Sequence, residues 1–368
     1  MADPLRPGVT AVVQDFHRAG IDTVMITGDQ APTAQAIAQE LNLSRGKPLE
    51  ILQTTGIEPE LLQELCQSAQ VFARVSPANK LQIVQALQRA GKVVAMTGDG
   101  INDAPALKAA EVGIAMAHGG TDVAREVADV VLEDDNLATM IVAISQGRTI
   151  YNNIRKAVHF LLATNLSEIL VMLLANLGGW GQPLNALQLL WLNLVTDIFP
   201  GLALAMESPE PDVLSVPPRP ADEPILKPSD LQRIAFESAA LAISTGAAYG
   251  YSLLRYGISP HASTVAFMSL VTGQLLHAFS CRSAKSLYAA QLPANPYLNV
   301  ALGVSLSLQF ASLFLPGLRD LLHVTPVDVW DGVVIAVSAL LPLLVNEATK
   351  SRQSLVPSCA IVNKAADV

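Results

Sequence analysis

Charged residues and cysteines are scarce in this sequence of 368 residues. Only 15% of the residues are charged and 5% are aromatic. The three cysteines, Cys66, Cys281 and Cys359, are odd in number and form no Cys-x-x-Cys pair, so we expect reduced thiols rather than a disulfide framework. The net charge of -9 and the lack of a basic run interleaved with aromatics give no indication of nucleic-acid binding. Residues 1–7 lack the apolar core of a signal peptide, so we expect membrane insertion from internal segments.

Apolar residues, in contrast, are abundant, at 51% with a mean hydropathy of +0.38, which favours a soluble domain joined to a membrane bundle. Up to about residue 150, short runs rich in β-branched residues alternate with amphipathic helical windows. This alternation predicts a doubly wound, mostly parallel α/β sheet over 1–150. The predicted strands are Thr23–Ile26, Val71–Ala73, Val93–Met96, Val112–Ala115 and Val130–Leu132.

Six apolar stretches within residues 151–350 approach the ~20 residues that a spanning helix needs. They cover about 157–177, 184–206, 231–254, 264–279, 297–315 and 327–345, and a tail of 351–368 follows. Lys and Arg concentrate in alternate connections, so the positive-inside rule predicts that the soluble domain and the tail are cytoplasmic in a multi-pass membrane protein. These connections carry Arg148, Arg155, Lys156, Arg219, Lys227, Arg233, Arg282, Lys285, Lys350 and Arg352, whereas the opposite ones carry Arg255 and Arg319.

Residues suited to phosphate chemistry follow two of the predicted strands. Asp99 ends one of them, and Asn102 and Asp103 open the next helix, an arrangement that suits Mg²⁺ beside a phosphate. Thr27-Gly28-Asp29 at another strand end offers a hydroxyl and free amides, and Lys80 offers positive charge to a phosphoryl group. Taken alone, the first tripeptide also fits a plain turn, and Lys80 also fits a solvated helix residue. The thirteen residues from Met96 to Lys108 are more specific.

These motifs resemble, in order, those of the phosphorylation domain of P-type ATPases, which has the haloacid-dehalogenase fold. They are Asp3–Arg6, Thr27–Asp29, Phe72–Lys80 and Thr97–Pro105. The resemblance implies that Asp99 binds Mg²⁺ with support from Asp103. It implies contacts with an aspartyl phosphate by Thr27, Gly28, Lys80 and Asn102, with Asp29 nearby. It also implies that Asp3 and Arg6 shape the site near the hinge to a nucleotide domain, which would bind ATP.

One departure from the family pattern concerns the nucleophile. The family's phosphorylated aspartate lies in Asp-Lys-Thr-Gly-Thr, which this sequence does not contain. Asp134 and Asp135 follow an apolar run but lack the flanking Lys-Thr-Gly. Without an acceptor carboxylate no covalent intermediate forms, so we expect no ATP hydrolysis by the isolated chain. The nucleotide and actuator domains and the first four spans would have to come from the same chain or from a companion.

Polar side chains within the first two predicted spans indicate a cation site. Asn165 and Glu168 share one helix face, as do Asn193, Thr196 and Asp197. Hydrogen bonds between helices are the alternative reading. The positions resemble the ligands of the calcium-pump branch, so Ca²⁺ is the expected cargo, with Mn²⁺ or a monovalent ion left open. Gln274 stands where some calcium pumps have a glutamate, which puts a second ion in doubt.

Two further expectations concern mechanism and class. Residues 137–156 read as an amphipathic helix that continues without proline into the first span, and such a helix would couple the phosphate site to Asn165 and Glu168. The rival classes are a non-catalytic remnant or membrane scaffold that binds ions, and a membrane-tethered phosphatase. The phosphatase is disfavoured because its nucleophile-bearing strand is absent from the sequence.

Overall fold

The computed structural model describes residues 5, 7–53, 64–66, 68–220, 222–283, 285–286 and 292–354, the last four of these as backbone only. The chain divides into two compact units. An α/β unit comprises Met1–Gly147 and Asp212–Glu223, and a helical unit comprises Arg148–Pro211 and Pro224–Val368. The loop at 212–223, which the sequence places between two predicted spans, thus groups with the α/β unit.

The α/β unit alternates strands with helices. Its strands are β1 (Met25–Ile26), β2 (Ile51–Gln53), β3 (Val71–Ala73), β4 (Ala95–Gly98), β5 (Val112–Met116) and β6 (Val130–Leu132). Its helices are α1 (Val9–Arg18), α2 (Ala31–Glu40), α3 (Pro77–Arg89), α4 (Ala104–Ala109) and α5 (Asp122–Val127). The sequence did not predict β2, because only two apolar residues precede Gln53 and the run is too short to stand out.

The strands form two parallel three-stranded sheets, with the orders β1-β3-β2 and β4-β5-β6. Met25 lies opposite Val71 in the first sheet, and Ala95 lies opposite Val112 in the second. Strands β1 and β4 are therefore edge strands, one in each sheet. They nevertheless share a core, because Ile26 of β1 packs on the buried cluster that contains Met96 of β4.

Local signals explain the helix starts near the strand ends. Ser76 caps α3, where its hydroxyl accepts a hydrogen bond from the Asn79 amide at 3.3 Å, and proline follows at the first helical position. Thr121 caps α5 in the same way through the Ala124 amide. Each cap directs its helix to begin where the preceding strand has just ended.

The helical unit is built from long and short helices, the first of which begins within the α/β unit. They are α6 (Ala138–Leu177), α7 (Ala186–Leu192), a π-helical segment (Asn193–Ile198), α8 (Phe199–Ala205), α9 (Pro228–Tyr256), α10 (Pro260–Ser280), α11 (Pro296–Phe314), α12 (Pro316–Leu322) and α13 (Val329–Ser354). Helix α6 is a single helix of 40 residues, so the amphipathic stretch and the first predicted span are continuous. Helices α9 to α12 all begin at proline, which is favourable at the first helical position.

Five segments of the described chain are long and apolar enough to cross a membrane: Ala138–Leu177, Ala186–Ala205, Pro260–Ser280, Pro296–Phe314 and Val329–Lys350. The third predicted span corresponds to α9, which has 29 residues but carries Asp230, Arg233 and Glu237 and falls outside this apolar class. The count of six spans therefore stays a prediction. Helix α10 packs against α9, α11 and α13, and fifteen of its 21 residues are buried, so its polar side chains face other helices.

Candidate functional site

The turn after β1 contains the first predicted phosphate ligands. The Thr27 hydroxyl donates a hydrogen bond to the Asp29 carboxylate at 2.8 Å, and the Asp29 amide donates to the Thr27 oxygen at 3.1 Å. Gly28 is exposed, and a side chain added there would meet no atom within 4 Å. Hydrogen bonds between Thr27 and Asp29 therefore fix the turn, and the space beside Gly28 is open, so that an anion can approach the backbone there.

Lys80 reaches this region from α3. The backbone of the segment before α3 is held to the turn, because the Val75 amide donates to the Thr27 carbonyl at 3.0 Å. The Lys80 ammonium is paired with the carboxylate of Asp103, and both side chains are largely shielded from solvent. The structure thus brings Lys80 and Asp103 together and ties the start of α3 to Thr27.

Asp103 is positioned by Gly98, the last residue of β4, and by Gly100 in the loop that follows. A Cβ on Gly98 would lie 2.6 Å from the Asp103 Cβ, so only glycine leaves room for the buried aspartate. The Gly100 amide donates to the second carboxylate oxygen of Asp103 at 3.3 Å. The close approach of Asp103 therefore explains the glycine before Asp99, whereas Gly100 contributes through its backbone amide.

Asp99 differs from Asp103 in its surroundings. It is exposed, and its carboxylate has no hydrogen-bond or ion-pair partner within the described part of the chain, while its carbonyl accepts from the Thr121 amide at 2.8 Å. Asn102 is exposed in a short 3-10 turn that leads into α4. An open carboxylate beside a buried, fixed one is a donor set that fits Mg²⁺, which keeps several waters and takes one or two carboxylates.

Two predicted residues of this region, Asp3 and Arg6, lie outside the described residues, so their roles stay predictions. Asp134 and Asp135 close the loop before α6. The Asp135 carboxylate accepts hydrogen bonds from the His118 and Gly119 amides at 3.1 and 2.7 Å. Both aspartates thus have local structural partners, since Asp134 accepts from the Thr139 hydroxyl at 2.7 Å.

The helical unit holds the predicted cation ligands at the meeting of α6 with the π-helical segment. Asp197 is the centre of this group. Its Oδ2 accepts from the Asn165 amide at 2.9 Å, and its Oδ1 accepts from the hydroxyls of Thr164 at 3.1 Å and Thr196 at 3.4 Å. Asn193 is exposed, unlike Thr196 and Asp197.

Glu168 lies one turn further along α6 and is also buried. Its Oε1 accepts from the Gln274 amide of α10 at 3.2 Å, and the same amide contacts the Ser167 hydroxyl at 3.3 Å. The Gln274 Oε1 atom is buried without a hydrogen-bond partner among the described residues. Gln274 therefore touches the predicted ligand set and leaves one oxygen free.

Thr164 and Ser167 were not predicted from the sequence. Thr164 is four residues before Glu168, so helical spacing alone offered a signal for it. No sequence signal identified Ser167, which we include because its hydroxyl contacts the Gln274 amide of α10. No lysine or arginine forms an ion pair with Glu168 or Asp197 in the described part of the helical unit, so their partners are neutral amides and hydroxyls.

Comparison with known proteins agrees with both halves of this arrangement. Residues 1–111 match the family model of haloacid dehalogenase-like hydrolases, and residues 181–352 match that of the C-terminus of cation transporting ATPases.

Sequence similarity to known proteins extends over nearly all of the chain. It is 41% identical over 358 residues to a calcium-transporting ATPase of Bacillus subtilis, which involves 95% of this chain and 40% of the relative. It is 35% identical to calcium-transporting ATPase 1 of Yarrowia lipolytica (95% and 38%) and 37% identical to the cation-transporting ATPase pma1 of Synechocystis (94% and 39%). The chain thus spans about 40% of the length of these relatives. It belongs to the P-type cation-transporting ATPases, with a haloacid-dehalogenase-like domain followed by membrane helices.

Proposed function

We propose that this chain forms the phosphorylation and transport portion of an ATP-driven pump whose cargo is Ca²⁺. The observation that carries the proposal is the buried pair Glu168 and Asp197, which lies on apolar helices and contacts only neutral polar groups among the described residues. Carboxylates in such surroundings are costly and mark ion pathways. A hard dication with oxygen ligands would compensate their charge.

The ligand set supports Ca²⁺ among the cations that the sequence left open. Carboxylate, amide and hydroxyl oxygens at two helices match the preference of Ca²⁺ for six to eight oxygen ligands in flexible geometry. The free Gln274 oxygen adds a neutral ligand where a further carboxylate would add charge. The exposed Asn165 and Asn193 side chains leave one side of the set open to ligands from further spans.

The α/β unit would stabilise the transferring phosphoryl group. Asp99 and Asp103 would hold Mg²⁺, which neutralises phosphate charge in such reactions. The ion pair with Asp103 orients Lys80, whose ammonium group would also donate hydrogen bonds to the phosphoryl oxygens and offset their negative charge. The Thr27 hydroxyl, the Gly28 amide and Asn102 would donate hydrogen bonds to the same oxygens, with Asp29 orienting Thr27.

The division of the strands into two sheets supports the proposal that the phosphorylated aspartate comes from polypeptide outside residues 1–368. Strands β1 and β4 are edges of separate sheets, yet they share one apolar core and carry the proposed phosphate and Mg²⁺ ligands at their carboxyl ends. A parallel strand that ends in the phosphorylated aspartate would pair with both edges and join them into one sheet. We propose that this strand, the ATP-binding domain and the remaining spans act with this chain in cis or in trans.

For the membrane topology we propose six spans, with α9 as the third. Its polar residues contact other helices, since Glu237 accepts from His159 of α6 at 2.7 Å and Arg233 donates to the Asn346 carbonyl at 2.9 Å. The distribution of lysine and arginine supports a cytoplasmic position for the α/β unit and the tail. Continuity of α6 supports the coupling of phosphorylation to the ligands Asn165 and Glu168.

Transport can be tested in a chimera that joins the N-terminal portion of the Bacillus subtilis relative to this chain. We expect ATP-dependent ⁴⁵Ca²⁺ uptake into inverted vesicles, lost in Glu168→Gln and Asp197→Asn. Asp331→Asn is the matched control, because Asp331 is a buried carboxylate at the start of α13 that pairs with His261 and lies outside the ligand set. Uptake of Mn²⁺ or K⁺ without Ca²⁺ would contradict the cargo, and Ca²⁺ binding without uptake would favour an ion-binding scaffold.

Coupling is tested in the same chimera with proline in α6. Asn152→Pro breaks the helix without removing Asn153, whose amide holds the Glu207 carbonyl at 2.7 Å. We expect ATP hydrolysis to continue while uptake is lost, and Asn152→Ala to leave both unchanged. If hydrolysis and uptake both survived the proline, helix continuity would not carry the coupling.

A further inference from the structure

Four potential metal ligands meet on three helices of the helical unit. They come from the middle of α6, the third turn of α9 and the last turn and C-cap of α10, and are His159, Glu237, His277 and Cys281. Their donor atoms all lie within 4.8 Å of one another, and three of the four residues are buried. His159 precedes Glu168 by nine residues, which is about 13 Å along a helix, so this group is separate from the proposed Ca²⁺ ligands.

The spacing of the donor atoms suits a tetrahedral metal. His277 Nε2 lies 3.3 Å from Cys281 Sγ and 3.4 Å from Glu237 Oε2. A tetrahedral Zn²⁺ with nitrogen, oxygen and sulfur ligands separates them by about 3.3–3.8 Å. His159 Nε2, at 2.7 Å from Glu237 Oε2, must move outward, and this side chain is partly exposed and therefore has room to rotate.

We propose that His159, Glu237, His277 and Cys281 form a binding site for Zn²⁺ or a similar transition-metal dication. Imidazole, thiolate and carboxylate are the ligand types that Zn²⁺ takes, whereas Ca²⁺ and Mg²⁺ prefer oxygen alone. Binding requires the Cys281 thiol to lose its proton to solvent, and the metal keeps its oxidation state. The His-x-x-x-Cys spacing places two ligands on one face of the end of α10.

The residues around the four ligands hold them in an orientation that suits a metal. Glu237 Oε1 accepts from Arg233 Nε at 2.5 Å, which leaves Oε2 directed at the two histidines. Asn346 Nδ2 lies 3.5 Å from His277 Nδ1, while the buried Asn346 Oδ1 has no hydrogen-bond partner among the described residues. A half-turn of the amide would set Oδ1 against an Nδ1–H group, and this bond fixes a histidine whose Nε2 binds metal.

A hydrogen-bonded network is the alternative explanation of the group. His159 and Arg233 alone would neutralise Glu237. That network gives no reason for Cys281 to lie against His277 or for the unpaired oxygen of Asn346. A metal site accounts for both observations, because the thiolate is a ligand and the oxygen becomes an acceptor.

Position on α10 connects this site with the proposed transport function. His277 is three residues, about one turn, beyond Gln274, whose amide donates to Glu168. A metal that joins α6, α9 and α10 would therefore restrain the helix that carries Gln274. This consequence rests on the proposed function, but binding of the metal itself does not, and the two are measured separately.

The test uses the full chain in detergent with Cys66→Ser and Cys359→Ser, so that Cys281 is the sole thiol. We expect one equivalent of Co²⁺ to give the visible spectrum of a four-coordinate site with thiolate charge transfer, and Zn²⁺ to displace it. Cys281→Ser should abolish the charge-transfer band, and His159→Gln should weaken binding at least about tenfold. Asn346→Ala should weaken it about 10–100-fold, as for other groups that orient metal ligands.

Two controls separate this site from other effects. His261→Gln removes a comparable histidine–carboxylate pair, His261 Nε2 to Asp331 Oδ2 at 2.8 Å, and should leave the spectrum unchanged. Glu168→Gln should also leave it unchanged, even if it abolishes Ca²⁺ transport. The proposal is overturned if the parent protein gives no charge-transfer band at equimolar Co²⁺, or if the band persists in Cys281→Ser.

Discussion

A buried ion pair between Glu207 and Arg282 allows a sharp stability prediction for the helical unit. Glu207 follows α8 and is 3% exposed, and Arg282 follows α10. The guanidinium donates to Glu207 Oε1 at 2.6 Å and to the Pro293 carbonyl at 2.6 Å. Asn295 completes the site by donating to Glu207 Oε2 at 2.8 Å. The pair thus holds three connecting segments together.

Replacing Arg282 by methionine leaves the Glu207 charge buried with the Asn295 amide as its one donor among the described residues. Removal of one partner from a buried ion pair costs about 3–5 kcal/mol, because the remaining charge has lost both its attraction and its solvent. At about 2–4 °C for each kcal/mol in a unit of this size, the Tm should fall by about 6–20 °C. The double variant with Glu207→Gln removes the charge as well and should recover more than half of the loss.

Tryptophan emission of the full chain in detergent measures this transition selectively. All three tryptophans, Trp180, Trp191 and Trp330, belong to the helical unit. Arg319→Met serves as a matched control, since no ion pair of Arg319 is found in the described chain, and it should change the free energy of unfolding by less than about 0.5 kcal/mol. A fall below about 2 °C for Arg282→Met, or a double variant no more stable than the single one, would refute the reasoning.

Three further predictions concern the α/β unit. Gly98→Ala should lower the free energy of unfolding by about 1–3 kcal/mol and weaken Mg²⁺ binding, because its Cβ would lie 2.6 Å from the Asp103 Cβ. Thermal unfolding and isothermal titration measure the two effects. Gly100→Ala is the control and should have neither effect, since its Cβ would have its nearest contact at 3.5 Å. Burial raises the pKa of Asp135, but three backbone N–H donors outweigh it and hold the pKa below its usual value. Its contribution to stability should thus be present at neutral pH and be lost as the pH falls through the folded pKa, so Asp135→Asn should speed amide hydrogen exchange at pH 7 but not at pH 2.5. Burial raises the pKa of Cys66 to about 11, so its alkylation at pH 8 should be slow until the unit unfolds.

The sequence allowed most of the fold to be predicted, because its signals are periodic and local. The predicted runs match β3 and β6 residue for residue, stop one residue short of the end of β5, and contain β1, whereas the run Val93–Met96 begins two residues before β4 and covers only its first half. What escaped prediction depends on tertiary context. Strand β2 is too short to show a pattern, and the division into two sheets follows from which edges are paired, a property that no single strand encodes.

The proposed cation ligands show a second limit of sequence reasoning. An α-helical period places Asn193, Thr196 and Asp197 on one face, but these residues form a π-helical segment, in which Asn193 is exposed and the other two are buried. A π-helical turn is wider than an α-helical one, so residues three and four apart no longer coincide in direction. The contact of Gln274 with Glu168 likewise depends on α10 packing beside α6, which the sequence motif alone does not reveal.

The two proposed acidic sites differ in a way that suits the ion proposed for each. Asp99 is exposed and without a partner in the described chain, so little solvation is lost before Mg²⁺ arrives, as suits a cation that keeps several waters. Glu168 and Asp197 have already lost their water and are held by amides and hydroxyls that can rotate towards or away from an ion. Asp197 also lies in a π-helical segment, a conformation that is rare in proteins and frequent at functional sites. The proposed transport ligands are therefore held by groups that can change geometry, whereas Asp103 is fixed by Gly98 and Lys80 to keep one position.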